Sequence, residues 1–201
     1  YRGFHKTRMF KQAVKETEGL VLVHDVRGVK KPILAMFDSC CGGVIPAHMQ
    51  GIDFERAPYL ARTKRCTFCK DSKLYRWRLE MEVHEFERVL RDQGVSISKV
   101  ADVVVSKKDK AGIVHEVAIH GAGGSLKVAG KKLYSWIKPL KSYCFSVSKR
   151  YKKVKMEGWG YGHHLGMCQW GARCMVDEGF TYLEILTFYY PHTHLKRLRI
   201  V

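Results

Sequence analysis

Residues 74–83 read Leu-Tyr-Arg-Trp-Arg-Leu-Glu-Met-Glu-Val. Tyr75, Trp77, Leu79, Met81 and Val83 alternate with Arg76, Arg78, Glu80 and Glu82. That period of two belongs to a strand with one face in a core and the other in water. The period then changes. Phe86, Val89 and Leu90 share one face of a short helix that Gly94 ends.

Working outward, residues 100–128 predict an antiparallel meander. Val103 to Val105 leads into the turn Lys107–Lys110, Ile113 to His120 follows, and a glycine-rich turn precedes Leu126 to Val128. Gly130 to Lys138 has helical spacing, and Phe145 to Val147 reads as a further strand. Upstream, Thr7 can cap a helix with Phe10, Ala13, Val14 and Thr17 on one face and Gly19 at its end. Leu20 to His24 and Pro32 to Phe37 are two apolar runs joined around Arg27-Gly28, an expected antiparallel pair. Downstream, a basic stretch, Lys149 to Lys155, leads into Gly158–Gly166. Helices are expected from about Met167 to Asp177 and from Tyr182 to Tyr189, with Pro191 after them and Leu195 to Val201 as a closing strand. Strands are not alternated with helices as βαβ units require, so the fold class is mixed α+β with mainly antiparallel strands. Residues 1–201 read as one domain, with 71–150 as a β-rich subdomain inside it.

The chain has 201 residues, 46% of them hydrophobic, which is enough to build a core and excludes wholesale disorder. No apolar run is long enough to span a membrane. The 36 Lys+Arg against 19 Asp+Glu give a net charge of +17, which calls for an anionic partner. Basic runs such as Lys149-Arg150-Tyr151-Lys152-Lys153 come with no nucleic-acid-binding motif, so nucleic acid is not the expected partner. The chain starts at Tyr1 without a Met or a leader, and is expected to be a piece of a longer protein.

Of seven cysteines, Cys40, Cys41, Cys66 and Cys69 cluster in sequence. Cys66-Thr67-Phe68-Cys69 puts two thiolates on one turn, where both reach a single soft cation, and a third cysteine from another turn is the usual way to close a zinc site. Adjacent side chains diverge, so one of Cys40 and Cys41 is expected to ligate, with Cys41 preferred. The fourth position falls to His48, the other cysteine or water. A Cys66–Cys69 disulfide or plain buried thiols are the alternatives. The second candidate is Gly158-Trp159-Gly160-Tyr161-Gly162-His163-His164-Leu165-Gly166. Its glycines permit positive φ and close approach to the main chain, and N–H groups before a helix can hold an anion or a carbonyl. His163 supplies a titratable nitrogen and Gln169 can point the same way. The plainer alternative is a tight turn with a core histidine. Met167, Cys168 and Trp170 read as packing.

These residues, with Gly166-Met167-Cys168-Gln169-Trp170-Gly171-Ala172, Glu178-Gly179-Phe180 and Tyr189-Tyr190-Pro191, resemble the C-terminal signature of the stage II sporulation protein D and amidase enhancer family. Tyr1-Arg2-Gly3, Ala13-Val14 with Thr17 and Gly19, Lys31-Pro32-Ile33, Phe37 to Gly43 and Pro58-Tyr59-Leu60 extend the resemblance over nearly the whole chain. It implies a lytic transglycosylase that cuts peptidoglycan strands lacking stem peptides, or an activator of a cell-wall amidase, located in the cell envelope. It implies zinc near the serine and glycine-pair block, with Cys41, Cys66 and Cys69, then Cys40 and His48, as the ligand candidates. His163, Gln169, Gly160, Gly162, Ser39 and Gly43 are the substrate-contacting candidates. The family's acid/base glutamate lies upstream of the Tyr1-Arg2-Gly3 block, so no residue of this chain matches it. Asp38 stands where the family has histidine, His164 where it has glycine, and Cys168 where it has serine. The first of these departures puts a histidine metal ligand at that position in doubt.

Overall fold

A computed structural model describes residues 7–198, so the Tyr1-Arg2-Gly3 triplet and the end of the expected last strand lie outside the described residues. In chain order the elements are α1 (Arg8–Thr17), β1 (Leu20–Val26), β2 (Val29–Pro32), β3 (Phe37–Asp38), β4 (Arg76–Glu82), α2 (Val83–Asp92), β5 (Ser98–Lys108), β6 (Val114–Ala122), β7 (Gly124–Ala129) and α3 (Gly130–Trp136). They continue as β8 (Phe145–Arg150), β9 (Lys153–Trp159), β10 (Met167–Cys168), α4 (Gln169–Asp177), α5 (Tyr182–Tyr189) and β11 (His194–Arg197). The class is α+β. The described residues divide into two compact units, one made of 7–34 with 192–198, the other of 35–191.

In the first unit Thr7 caps α1, its hydroxyl accepting from the Phe10 N–H at 3.4 Å. No residue of α1 is buried, so the apolar spacing of Phe10, Ala13 and Val14 faces outward. The sheet has the order β11-β1-β2, antiparallel throughout. Its hairpin corrects the expected second strand: Val29–Pro32 pairs with β1, not Pro32 to Phe37. The reason is the turn. Arg27 and Gly28 both hold positive φ, 54° and 81°, and Asp25 Oδ1 accepts from the Gly28 N–H at 2.7 Å. A two-residue turn of that kind pairs the residues beside it whatever their polarity.

The second unit carries the main core and the site. β4, β9 and β8 form one antiparallel sheet with β9 in the middle, and β5, β6 and β7 form another. Trp77, Leu79 and Met81 of β4 pack on a core that includes Phe86 and Leu90 of α2, Val103 and Ile119 of the second sheet, Leu133 of α3, and Val154 and Met156 of β9. Each such aliphatic side chain contributes about 1.5–3 kcal/mol by leaving water. A small parallel pair, β3 with β10, sets Phe37 opposite Met167 and Asp38 opposite Cys168. Because Met167 and Cys168 are in this pair, the helix expected from Met167 starts at Gln169 instead. Thr181 and Glu184 form a capping box that starts α5.

Candidate metal centre and its glycine loop

Three segments meet beside the β3–β10 pair: the turn after β3, the turn around Cys66–Cys69, and the entry into α4. The sulfurs of Cys41, Cys66, Cys69 and Cys168 all lie within 4.8 Å of one another and all four residues are buried. Cys41 and Cys69 are 3.7 Å apart, Cys66 and Cys69 3.8 Å, far beyond a disulfide bond, and all seven cysteines are free thiols. Four buried soft donors converging in this way can hold a metal ion.

Cys168, expected from sequence to serve packing, is the fourth sulfur. It is the N-cap of α4 and accepts backbone N–H groups from Gly171 at 3.3 Å and from Cys41 at 3.2 Å. Two such donors at the positive end of a helix suit a sulfur that takes on negative charge when a metal binds, while without one the hydrogen bond with Cys40 pushes the Cys168 thiol up. The Cys66 sulfur lies 3.2 Å from the Tyr189 hydroxyl. Hydrogen bonds from the thiols of Cys168, Cys41 and Cys69 push the Cys66 thiol down, while burial pushes the Tyr189 hydroxyl up and keeps it a donor. Gly171 makes the contact possible, because a Cβ there would lie 2.1 Å from the Tyr189 hydroxyl oxygen and 2.8 Å from the Cys66 sulfur.

Cys40 and His48, the two residues weighed for the fourth place, are not among the four converging sulfurs, although the Cys40 thiol is hydrogen-bonded to Cys168 and Cys69. Cys40 is buried at the edge of the cluster with its main chain paired to Tyr161. His48 is exposed and, with Gly43, lines an open cleft of about 250 Å³. Arg62, which sequence reasoning passed over, is a buried cation. Its guanidinium donates to the carbonyls of Val44, at 3.1 Å, and Lys64, and lies 5.6 Å from the centre of the Tyr189 ring.

The glycine loop is bolted to the same turn. Gly160 donates to the Tyr75 carbonyl at 2.9 Å, Tyr161 to Cys40 at 2.7 Å and Gly162 to Lys141 at 3.0 Å. His164 donates its N–H to Asp38 Oδ2 at 2.8 Å and its Nδ1 lies 3.0 Å from the Cys41 carbonyl. At Gly162 a Cβ would sit 2.3 Å from the Asp38 Cβ, and at Gly160 2.7 Å from the Cys40 carbonyl. The close approach that these glycines allow is therefore made by the protein's own atoms, and the N–H groups of Gly160, Tyr161, Gly162 and His164 are spent within the fold. Asp38 and His164 are both buried. Burial pushes the Asp38 carboxyl up to about 7 and the His164 ring down to about 4, which leaves each neutral for much of the range.

His163 is the loop's half-buried ring. Its Nδ1 accepts from the Leu165 N–H at 3.1 Å, and burial holds its pKa below the usual imidazole range against a main-chain bond to Phe37. Gln169 is exposed at the first position of α4, and the Ser39 carbonyl accepts from Trp170 N–H at 3.1 Å. Ser39 thus stands beside the start of α4.

Residues 59–166 match a family described as a domain of unknown function (DUF8618). The chain belongs to that family. Cys66, Cys69 and the glycine loop fall inside the matched stretch, and Cys41 and Cys168 outside it. Stage II sporulation protein D of Bacillus subtilis (strain 168) is 26% identical over 191 residues, 95% of this chain and 52% of that protein. An uncharacterized protein of Brachyspira hyodysenteriae is 26% identical over 193 residues, 94% of this chain and 50% of the relative. The amidase enhancer of B. subtilis is 46% identical over 55 residues, 27% of this chain and 8% of that protein. These likenesses bear out the resemblance to the sporulation protein D and amidase enhancer family. The chain spans about half the length of the relatives it matches from end to end. No helix among the described residues is long and apolar enough to cross a membrane.

Proposed function

We propose that this chain is the glycan-handling part of a peptidoglycan-remodelling protein of the cell envelope, lytic transglycosylase in type, organised around a zinc ion. The observation that carries the glycan reading is the likeness to stage II sporulation protein D over 95% of the chain. The zinc reading rests on the sulfurs. A zinc–sulfur distance of about 2.3 Å sets tetrahedral sulfurs about 3.8 Å apart, and two of the distances here are 3.7 and 3.8 Å. Four thiolates around a divalent ion leave a net charge of about −2, which a buried site must offset. The N–H groups of Gly171 and Cys41, the Tyr189 hydroxyl and the buried Arg62 guanidinium stacked on the Tyr189 ring supply the offset. With all four positions filled by sulfur there is no place for water, so the zinc is structural, held by Cys41, Cys66, Cys69 and Cys168.

Zinc thereby fixes the Asp38–Gly43 turn against α4, and with it the loop that carries His163. His163 and Gln169 orient the sugar, with Ser39 beside them. Cleavage of the lyase type needs one carboxylic acid, which protonates the glycosidic oxygen and takes the proton of the muramic acid 6-hydroxyl, since the sugar's own hydroxyl is the nucleophile. In the family that acid is a glutamate upstream of the Tyr1-Arg2-Gly3 block. Glu55, the one glutamate near the cysteines in sequence, is exposed in a turn.

The test is mass spectrometry of glycan strands free of stem peptides after digestion with the full-length protein. Anhydro ends are expected. Reducing ends mean a hydrolase, and no cleavage removes the catalytic reading. The local 46% identity to an amidase enhancer favours a second reading, activation of a cell-wall amidase. Stimulation of a purified amidase by this chain, with glycan strands left intact, identifies that reading.

A further inference from the structure

The cluster of thiols is larger than the four that converge on one point. Cys40 stands outside the group in which every sulfur lies within 4.8 Å of every other, yet its thiol is hydrogen-bonded to those of Cys168 and Cys69. Cys168 and Cys69 are bonded to each other as well. Cys40, Cys69 and Cys168 therefore make a triangle that shares one edge, Cys69–Cys168, with the group of four. The main chain of Cys40 sets this arrangement. Its N–H donates to the Tyr161 carbonyl at 3.2 Å and its carbonyl accepts from the Tyr161 N–H at 2.7 Å. Successive side chains of a paired, extended segment diverge, so Cys40 and Cys41 meet the shared edge from different sides.

A triangle of thiolates suits a different ion from the tetrahedron beside it. Zinc asks for a fourth donor, and Cys40, Cys69 and Cys168 are each 0% exposed, which leaves no solvent to supply one. Copper(I) is a soft ion that thiolates select, and three of them satisfy it. At a metal–sulfur distance of about 2.3 Å, three sulfurs in one plane around an ion stand about 4 Å apart. The thiol contacts of Cys41 and Cys66 with Cys69 are already 3.7 and 3.8 Å. The charge is also permissive. A fifth thiolate and a monovalent cation cancel, so the buried net charge of the zinc centre does not change, and the Gly42 N–H donates to the Cys40 sulfur.

We infer that the chain carries a second metal site, for one soft monovalent ion of the copper(I) class, formed by Cys40 together with Cys69 and Cys168 as thiolates shared with the zinc. The inference rests on the four-sulfur zinc reading above and goes beyond it. No electron moves in the binding step. The ion arrives as copper(I), one copper–sulfur bond forms at each of the three cysteines, and the Cys40 thiol gives up its proton to solvent, since Cys69 and Cys168 are already thiolates under zinc.

The experiment titrates the zinc-loaded chain with copper(I), without oxygen, against a copper(I)-selective chelating dye. Bound copper is read from the dye and bound zinc by elemental analysis. About one copper per chain is expected to bind while about one zinc is kept, with about one proton released per copper. Copper X-ray absorption should show sulfur neighbours and no oxygen or nitrogen. Cys40→Ser is expected to keep the zinc and the melting temperature and to weaken copper about 100-fold, at least what losing a ligand's outer partner costs. Cys40→Ala should do the same, which separates the lost sulfur from any effect of the serine hydroxyl. Cys174→Ser removes a thiol of α4 outside the cluster and should alter neither metal. Copper left entirely on the dye, copper held as tightly by Cys40→Ser, or copper that enters only as zinc leaves overturns the second site while the zinc reading stands. A chain that binds no zinc at all overturns both. If both Cys40 variants unfold, the unaltered chain decides alone, through the zinc it keeps once about one copper is bound.

Discussion

Gly171 is a single hydrogen atom's width of permission. It lies in the first turn of α4, where a glycine ordinarily weakens a helix, and it is tolerated because the Tyr189 hydroxyl and the Cys66 sulfur fill the space where a methyl would go. Gly171→Ala is expected to cost about 1–3 kcal/mol by overpacking and to lower bound metal well below one ion per chain, checked by thermal melting and elemental analysis. The two adjacent histidines separate in the same way. His164 is 1% exposed and holds the Cys41 carbonyl, so His164→Ala should cost about 2–3 kcal/mol of stability. His163→Ala should leave stability within about 1 kcal/mol and reduce glycan cleavage by the full-length protein about 10²-fold. A melting curve beside a turnover assay separates these outcomes. Equal effects of the two substitutions on turnover return the loop to a purely structural turn.

At the scale of elements, β9 shows why parts of the fold were illegible. Lys149 to Lys155 reads as a basic run, yet it holds the end of β8, the turn at Tyr151 and the start of β9, the central strand of its sheet. Val154 and Met156 go inward while Lys153, Lys155 and Glu157 go outward, an alternation that charge composition hides until the partners on both sides are known. Most of the strand expected at 74–83 is legible, forming β4 over Arg76–Glu82, because its inward residues are large and its period unbroken, while Val83 already belongs to α2. Cys66 and Cys69 were legible for a similar reason, since their spacing brings two sulfurs to one turn without help. Cys168 needs the β3–β10 pairing to be of use, a two-residue parallel contact with no pattern in sequence. Its one local trace was a cysteine where the family has serine. Cys168→Ser is therefore expected to act on both the metal and the start of α4. Metal content should fall as far as in Cys66→Ser, while the hydroxyl retains the cap, so Cys168→Ser should keep more α-helical signal by circular dichroism than Cys168→Val.

Across the whole molecule the metal and the charge make separate predictions. Structural zinc contributes on the order of 10 kcal/mol or more to small folds, comparable to a domain's entire stability, so a strong chelator should lower the melting temperature by more than about 15 °C. Acidification should do the same more steeply than one proton allows, because each thiolate must gain a proton as the metal leaves. Metal and protein released together across that pH step, followed by a metal-sensitive dye and by near-ultraviolet dichroism, check it; a melting temperature indifferent to chelator removes the structural role. The net charge of +17 acts over longer distances and should speed encounter with acidic wall polymers in a salt-dependent way.

The spacing of the four sulfurs also sets an order in time. Cys41 and Cys168 meet although 127 residues separate them in the chain. A polypeptide made from its first residue onward offers Cys41, Cys66 and Cys69 roughly a hundred residues before the last sulfur exists. Until Cys168 emerges the trio can seize zinc only loosely, with solvent in the remaining corner, and such a complex exchanges its ion and exposes its thiols to oxidants. Full closure also ties the beginning of the unit to its end, a constraint that for a loop of this length removes about 4–5 kcal/mol of disorder from the unfolded chain if the ion acts as a covalent tie does. On the zinc reading, folding is thus a competition between completing the roughly hundred residues from Cys69 to Cys168 and losing the Cys66–Cys69 pair to a disulfide, and withholding zinc over that interval should raise the share of the disulfide form, read by thiol counting.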